Sequence, residues 1–283
     1  MAVTTTTATE LTATQVAAIL TKPLEQASTF LAAGPSVYDT TGPFRLPAAP
    51  QYGGTALPFT GESTAIPEAD ADFGEITLLP STMKSVKVIT RYSNELARQS
   101  VVSLEAALRQ RLVLDVAGKL DEQFYSAAGD GIAEPQGMFA WTGVQTHAAA
   151  GPLTLDMLLT AQGLALSANV DMSRLRLFLR PDDFIAVRSI KDTIERYQLQ
   201  PDPTLGTVPS ILGMPVTVSA RIPDNHAAVI DMTQVAVARD LAPSVTILSE
   251  RYADYDEQAI RVVARYDVKP INPQAVVTIT GIA

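Results

Sequence analysis

Residues 98–139 read RQSVVSLEAALRQRLVLDVAGKLDEQFYSAAGDGIAEPQGMF. Leu104, Leu108, Leu112, Val116, Leu120 and Phe124 recur at every fourth position, the row that stacks along one side of an α-helix. Such a row drifts by roughly 40° per step, so the stripe winds, and Val101, Ala107, Leu114 and Ala117 broaden it. Arg109, Arg111, Asp115, Lys119, Asp121 and Glu122 take the remaining positions. Ser100 or Ser103 suits the N-cap, and Glu105 suits the positive end of the helix dipole. Gly129 and Gly131 allow the left-handed backbone that ends helices. About 25 residues at 1.5 Å each predict a rod of roughly 37 Å, long enough to serve as a spine.

Composition narrows the classes open to the chain. Its 283 residues, 47% of them hydrophobic, make one large domain or two small ones with an ample core. Asp and Glu number 30 against 21 Lys and Arg, a net charge of −9. A free subunit of that charge lacks the clustered bases that phosphate binding needs. The absence of cysteine removes disulfides, Cys-zinc sites and thiol nucleophiles, and suits a reducing compartment. The N-terminus MAVTTTTATELTATQ lacks the layout of a signal peptide. No apolar run is long enough to span a bilayer, so a soluble protein without a membrane partner is expected.

Outward from the spine, the chain divides by pattern. Residues 1–50 are an N-terminal arm: a Thr/Ala-rich start, a helix-compatible piece over residues 14–33, then an extended stretch dotted by Pro43, Pro47 and Pro50. Residues 51–92 predict a long β-hairpin, with an outgoing strand over residues 55–61 and a return over residues 75–92. On the return, Val86, Val88, Thr90 and Tyr92 share one face, while Ser85, Lys87, Ile89 and Arg91 share the other. Its tip carries Glu62, Glu68, Asp70, Asp72 and Glu75 with no base among them. These acids lack the spacing of an EF-hand and read as an exposed tip. So long a hairpin has too little core to stand alone, so it is expected to lie on a neighbouring subunit.

Residues 140–235 predict an α/β lobe: a helix over residues 153–168, a strand over residues 175–179, and a helix led by Pro181. A polar, proline-broken loop, the Ile211–Ser219 element and a further strand follow. Gly213 suits a positive φ and Pro215 the turn beside it. Residues 236–283 are strand-dominated, over residues 235–238, 245–248, 260–266 and 275–279.

Several of these features together resemble tailed-phage major capsid proteins of the Hong Kong 97 type. The resemblance rests on the spine followed by Gly129-Asp130-Gly131 and Glu134-Pro135-Gln136-Gly137-Met138. It extends through Arg180-Pro181, Lys191-Asp192, Arg196-Tyr197, Leu212-Gly213-Met214-Pro215-Val216 and Ile222-Pro223. It closes with residues 260–267 and Pro273-Gln274-Ala275, and so covers roughly residues 45–280. A Gly-Asp turn of that family is replaced here by Ile230-Asp231. No scaffolding segment is expected ahead of the arm. Leu78-Leu79-Pro80 stands near the family's crosslinking lysine position, so no covalent crosslinks are expected.

The resemblance implies an α+β capsid fold with an extended loop at residues 51–92. A peripheral domain would comprise residues 93–150 and 241–269, and an axial domain residues 151–240 and 270–283. It implies pentamers and hexamers of one chain closing into an icosahedral shell around double-stranded DNA. Portal and scaffolding or cement proteins would be partners, with assembly in the host cytoplasm. An encapsulin-type compartment shell is the alternative. Contacts between subunits are expected at Glu62, Glu68, Asp70, Asp72 and Glu75 on the tip and at Lys84, Lys87 and Arg91 on the return strand.

An enzyme is not expected, nor any cofactor or metal. His147 and His226 are the only histidines and stand in different segments. No nucleophile elbow, P-loop or zinc-protease motif occurs. Asp182-Asp183 reads as a helix N-terminus, and Asp254, Asp256 and Glu257 as a solvated turn.

Overall fold

The computed structural model describes residues 28–47, 51–52, 60–64, 71–72, 74–95, 104–149, 151–192, 194–195, 197, 199, 210–240, 244–248 and 250–283. Helix α1 (Thr29–Ala32) leads into β1 (Ser36–Thr40), β2 (Phe44–Pro47) and the short strands β3 (Gln51–Tyr52) and β4 (Ala71–Asp72). Strands β5 (Glu75–Leu78) and β6 (Val86–Ser93) precede the spine, α2 (Leu104–Phe124). Then come β7 (Gln145–Ala148), α3 (Leu155–Ser167), β8 (Leu175–Leu179) and α4 (Pro181–Arg188). Strands β9 (Ser210–Ile211), β10 (Met214–Val218), β11 (His226–Asp231) and β12 (Val235–Asp240) follow. The chain ends with β13 (Ser244–Leu248), β14 (Glu257–Ala264), β15 (Tyr266–Pro270) and β16 (Val276–Thr280).

The six-stranded sheet β7-β16-β11-β8-β10-β9 is covered on both faces, and its strands alternate between two cores. Leu175, Leu177, Leu179, Ala227, Val229, Val277 and Ile279 pack with Leu158, Ala161 and Ala165 of α3. Phe178, Ala228, Ile230 and Val276 point the other way, into the core built on the spine. Thr154 caps α3 by accepting from the Met157 N–H at 3.3 Å, and Pro181 opens α4 with Asp182 and Asp183 in its first turn. Leu212 and Gly213 both take positive φ, at 53° and 77°, in the two-residue turn from β9 to β10. At the replaced Gly-Asp position, the Asp231 side chain makes the turn itself. It accepts from the Thr233 N–H at 2.9 Å and hydroxyl at 2.7 Å.

The described spine spans 21 residues, about 31 Å at 1.5 Å per residue. Leu112, Val116, Ala117, Leu120 and Phe124 are buried, as the four-residue row predicts. Leu104, Val101 and Ala107 have no described side chains. Two positions correct the sequence reading. Leu114 is 49% exposed, because it lies away from the winding row. Asp121, one of the positions outside the apolar row, is buried.

Asp121 is buried because it binds the first turn of α1. Its carboxylate accepts from the Ser28 hydroxyl, from the Thr29 N–H and hydroxyl, both at 2.8 Å, and from the Phe30 N–H at 3.4 Å. A carboxylate at the N-terminal end of a helix meets its unpaired N–H groups and its positive dipole end. One turn along the spine, the Tyr125 hydroxyl lies 3.0 Å from the Thr29 hydroxyl. Burial first, and the Asp121 charge second, push the ionisation of Tyr125 far above its ordinary range, so it stays a neutral phenol. Phe30 thereby seats against Phe124, Tyr125 and Phe178, with ring centroids at 5.1, 5.5 and 6.5 Å.

The glycine-rich exit from the spine has a steric reason. Gly129 has φ +114°, and a Cβ there would strike the Pro135 carbonyl oxygen. A Cβ on Gly137 would strike the Ser126 backbone. Between them, the Asp130 carboxylate accepts from the N–H groups of Ile132, Ala133 and Glu134 at 2.9, 2.8 and 3.1 Å, which holds its pKa below the ordinary carboxylate value. Met138 then enters the spine core fully buried.

Replacing Leu112 by Asp should abolish folding, because it puts an unpaired charge in the buried row at a cost of several kcal/mol. The same change at exposed Leu114 should cost under about 1 kcal/mol. Asp121→Asn should cost about 2–4 kcal/mol, since an amide cannot accept from all the donors that converge there. Urea denaturation of the three variants checks the ranking, and equal losses at 112 and 114 would contradict the assigned helix face.

Candidate subunit-contact surfaces

Strands β2 and β5 make a two-stranded stalk. Strand β2 pairs antiparallel with β5, Phe44 opposite Leu78 and Pro47 opposite Glu75, and β3 continues outward paired with β4. The outgoing strand expected over residues 55–61 lies almost wholly outside the described residues. The expected return over residues 75–92 is two strands rather than one. Strand β5 belongs to the stalk, while β6 leaves it to pair with β14. Leu79, with φ 51°, and the Pro80–Met83 turn separate them.

Three side chains from one edge of a neighbouring sheet hold the foot of the stalk. Residue 265 precedes β15, and 267 and 269 lie in it, at the period-2 spacing that points all three the same way. Arg265 donates to the Pro80 carbonyl at 2.6 Å, Asp267 accepts from the Leu79 N–H at 2.9 Å, and Lys269 donates to the Thr77 carbonyl at 2.7 Å. Asp267 is fully buried. Burial raises its pKa, opposed by the Leu79 and Val268 N–H groups and by Lys269 and Arg265. Leu78, Leu79 and Met83 pack there on Ala236 and Ala238 of β12, with Tyr38, Phe44, Leu46 and Ile76 around them. Strand β1 fixes the same region from the arm side. It pairs in parallel with β12, and Asp39 forms a two-point ion pair with Arg239. That hydrogen bond is the main reason the Asp39 pKa is lowered.

The sheet β13-β14-β6 turns one face to the spine core, through Val86, Val88, Ile260 and Val262. Its outer face carries Lys87, Ile89 and Arg91 from β6, all exposed. The register sets Arg261 of β14 directly opposite Ile89, so its side chain stands on the same face. Arg261 donates to the neutral Thr246 hydroxyl at 3.1 Å. Arg91 lies 3.8 Å from Glu257 and 5.2 Å over the Tyr252 ring.

The structure places the expected contact residues in different settings. Glu62 is exposed in a turn closed by the Thr64 N–H and the Gly61 carbonyl. Glu68 and Asp70 lie outside the described residues, and Asp72 is described only by its backbone pairing with Gln51. Glu75 meets Arg45 across its own stalk at 3.1 Å. The sequence reading missed that partner because it assigned Arg45 to the arm. Lys84 is exposed, with its backbone N–H on the Ala133 carbonyl at 2.8 Å. Lys87 and Arg91 share one sheet face, as their alternation predicts. Arg261 was not among the expected residues; its place on this face follows from the pairing of β14 with β6.

His226 holds the Asp224 carbonyl at 2.6 Å and meets Phe139 edge-on, and His147 lies in β7. Among the described residues, no cluster of three or more His, Asp or Glu side chains could hold a metal. No described helix is long and apolar enough to cross a membrane.

Asp39 makes a pH signature available. Its lowered pKa means that the stability from the Arg239 pair is present above the ordinary carboxylate value of about 3.9 and is lost as pH falls through the lowered folded-state value. Asp39→Asn should therefore lower the melting temperature at neutral pH, and the gap from the unmodified protein should close in acid. A gap constant down to the acid limit would contradict the assignment.

No curated protein matches the chain. Solved structures do. The capsid of a native GTA particle superposes with a TM-score of 0.73 at 18% identity, over 90% of this chain and 91% of that one. A chain from Microbacterium phage Oxtober96 gives 0.69 at 16%, over 90% and 91%. One from Mycobacterium phage Adephagia gives 0.68 at 17%, over 90% of each. At such identities the likeness concerns the fold. Residues 10–281 match the Phage capsid family; the chain belongs to that family and has the Hong Kong 97-type capsid fold.

Proposed function

We propose that this major capsid protein assembles as pentamers and hexamers into the icosahedral shell of a virion that encloses double-stranded DNA. The observation that carries the reading is the stalked hairpin. Its foot is fixed by a small core and three polar hooks, while its described tip, Thr60–Thr64, is wholly exposed. An element anchored at one end and bare at the other is built to rest on another molecule. Closed symmetry then sums modest contacts into a stable container.

Within that reading, residues 1–50 act as the arm and 51–92 as the extended loop. Residues 93–150 with 241–269 form the peripheral domain, and 151–240 with 270–283 the axial domain. The two cores on opposite faces of the six-stranded sheet support a division of this kind. Portal and scaffolding or cement proteins are the expected partners, with assembly in the host cytoplasm. The family match to phage capsids does not favour the encapsulin alternative.

Deleting residues 63–74 should leave the far-ultraviolet circular dichroism and the unfolding midpoint nearly unchanged and abolish closed shells in negative-stain images. Normal shells from the deleted protein would show that the loop is not an assembly contact. A compact monomer of the unmodified protein at micromolar concentration would overturn the capsid reading itself.

A further inference from the structure

We infer that Asp267 is a proton-operated latch on the direction of the stalk: as the neutral acid it keeps the foot closed, and its ionisation favours release. The latch belongs to the single subunit and goes beyond the capsid reading. It sits where the chain turns from β5 to β6. Leu79 is buried there with φ 51°, in the left-handed region that a residue with a Cβ enters only at a steric cost. It also precedes Pro80, whose ring favours extended backbone at the residue before it. Two local preferences therefore oppose the observed conformation, which persists only where its surroundings impose it.

Asp267 is the group that holds it. One carboxylate oxygen accepts from the Leu79 N–H at 2.9 Å, and the other from the Val268 N–H at 2.9 Å. Without the first contact, Leu79 gains by returning to extended backbone. Residues 75–92, whose pattern reads as one long strand, then realign β5 with β6 and swing the stalk.

The charge of that carboxylate is poorly matched. Arg265 and Lys269 flank it on one edge, but they donate to the Pro80 and Thr77 carbonyls, and among the described residues neither forms an ion pair with it. Towards it β12 presents Ala236 and Ala238, β1 presents Tyr38, and the stalk presents apolar side chains. Asp240 comes next on that face of β12, at the period-two spacing, while Arg45 and Glu75 pair with each other on the opposite face of the stalk. Burial thus favours the neutral acid and raises the pKa, against the pull of two N–H groups and two cations. The neutral acid still accepts from Leu79 through its carbonyl oxygen. A released, hydrated Asp267 titrates near the ordinary value of about 3.9. The closed foot therefore holds the proton more tightly: the latch is strongest below that value and weakens as pH rises through the raised one. Asp39, with its lowered pKa, titrates below this window.

The test reads the stalk's direction in full-length, dissociated subunits. The chain has no cysteine, so P47C at the outer end of the stalk and Q110C on the spine, both at exposed positions, carry the only two spin labels. Pulsed electron spin resonance then gives the stalk-to-spine distance from about pH 5.5 to about pH 8.5, above the ordinary carboxylate value. In the otherwise unmodified chain a second distance should grow as pH rises. D267N keeps an acceptor and loses the charge, so it should hold the first distance throughout. D267A loses the acceptor, so it should show the second distance throughout. Its Leu79 amide should also exchange hydrogen about tenfold or more faster, the weight of one hydrogen bond to a charged group.

One distance at every pH in the unmodified chain would overturn the inference, whatever D267A does. So would a second distance that grows in acid, or a D267N chain that moves with pH or matches D267A. A D267A chain that fails to fold leaves the pH series and D267N to decide. Because the subunit is measured alone, each of these outcomes leaves the capsid reading intact, and a failure to form shells leaves the latch standing.

Discussion

A buried carboxylate on the spine fixes how the parts of this subunit meet. A charge removed from water costs several kcal/mol unless donors surround it, and Asp121 finds them in the first turn of α1. Apolar burial alone would not choose that arrangement. Phe30 stabilises by about 1.5–3 kcal/mol wherever it is covered, but the hydrogen bonds to Asp121 admit one placement of the helix. That placement puts Phe30 among Phe124, Tyr125 and Phe178, so arm, spine and six-stranded sheet share one core. A few residues on, β1 joins β12 in fixed register, and the constraint passes from the spine to the sheet that bears the loop.

Strand β12 divides the labour between its faces. Val235 and Val237 enter the spine core, while Ala236 and Ala238 face the stalk. Alanines leave room for the foot of the loop to approach closely, and the adjacent strand fills the remaining need with polar groups. Arg265, Asp267 and Lys269 bind the backbone of residues 77–80. Backbone groups outside a ladder would otherwise be buried without partners. The stalk is thus held in a defined direction by side chains of its own subunit, although it adds only a small core to that subunit.

The spine, the glycine-rich exit and the alternation of β6 were legible because each is local. A four-residue row, two glycines around an aspartate, and a period of two all lie within one window of sequence. The Asp121 site was not legible. An acid among Lys119 and Glu122 on an amphipathic helix looks solvated, and only its partners at Ser28 and Thr29, about ninety residues away, show that it is buried. The same holds for Asp267, whose partner Leu79 is 188 residues distant. The hairpin was recognised as a hairpin but divided wrongly, because its continuous β-pattern conceals the turn at Leu79–Met83 where the chain leaves one sheet for another. Of the candidate contact face, Lys87 and Arg91 were visible from strand alternation. Arg261 needed the pairing of β14 with β6, which no single-strand pattern supplies.

Net charge bears on how copies of this chain approach one another. Copies that each carry −9 repel at long range, so approach is favourable only in orientations that set unlike patches together. The register of β1 on β12 and the three hooks on residues 77–80 fix the stalk at its foot. The chain of constraint that begins at Asp121 therefore runs through α1, β1 and β12 to the residues that hold the foot of the stalk.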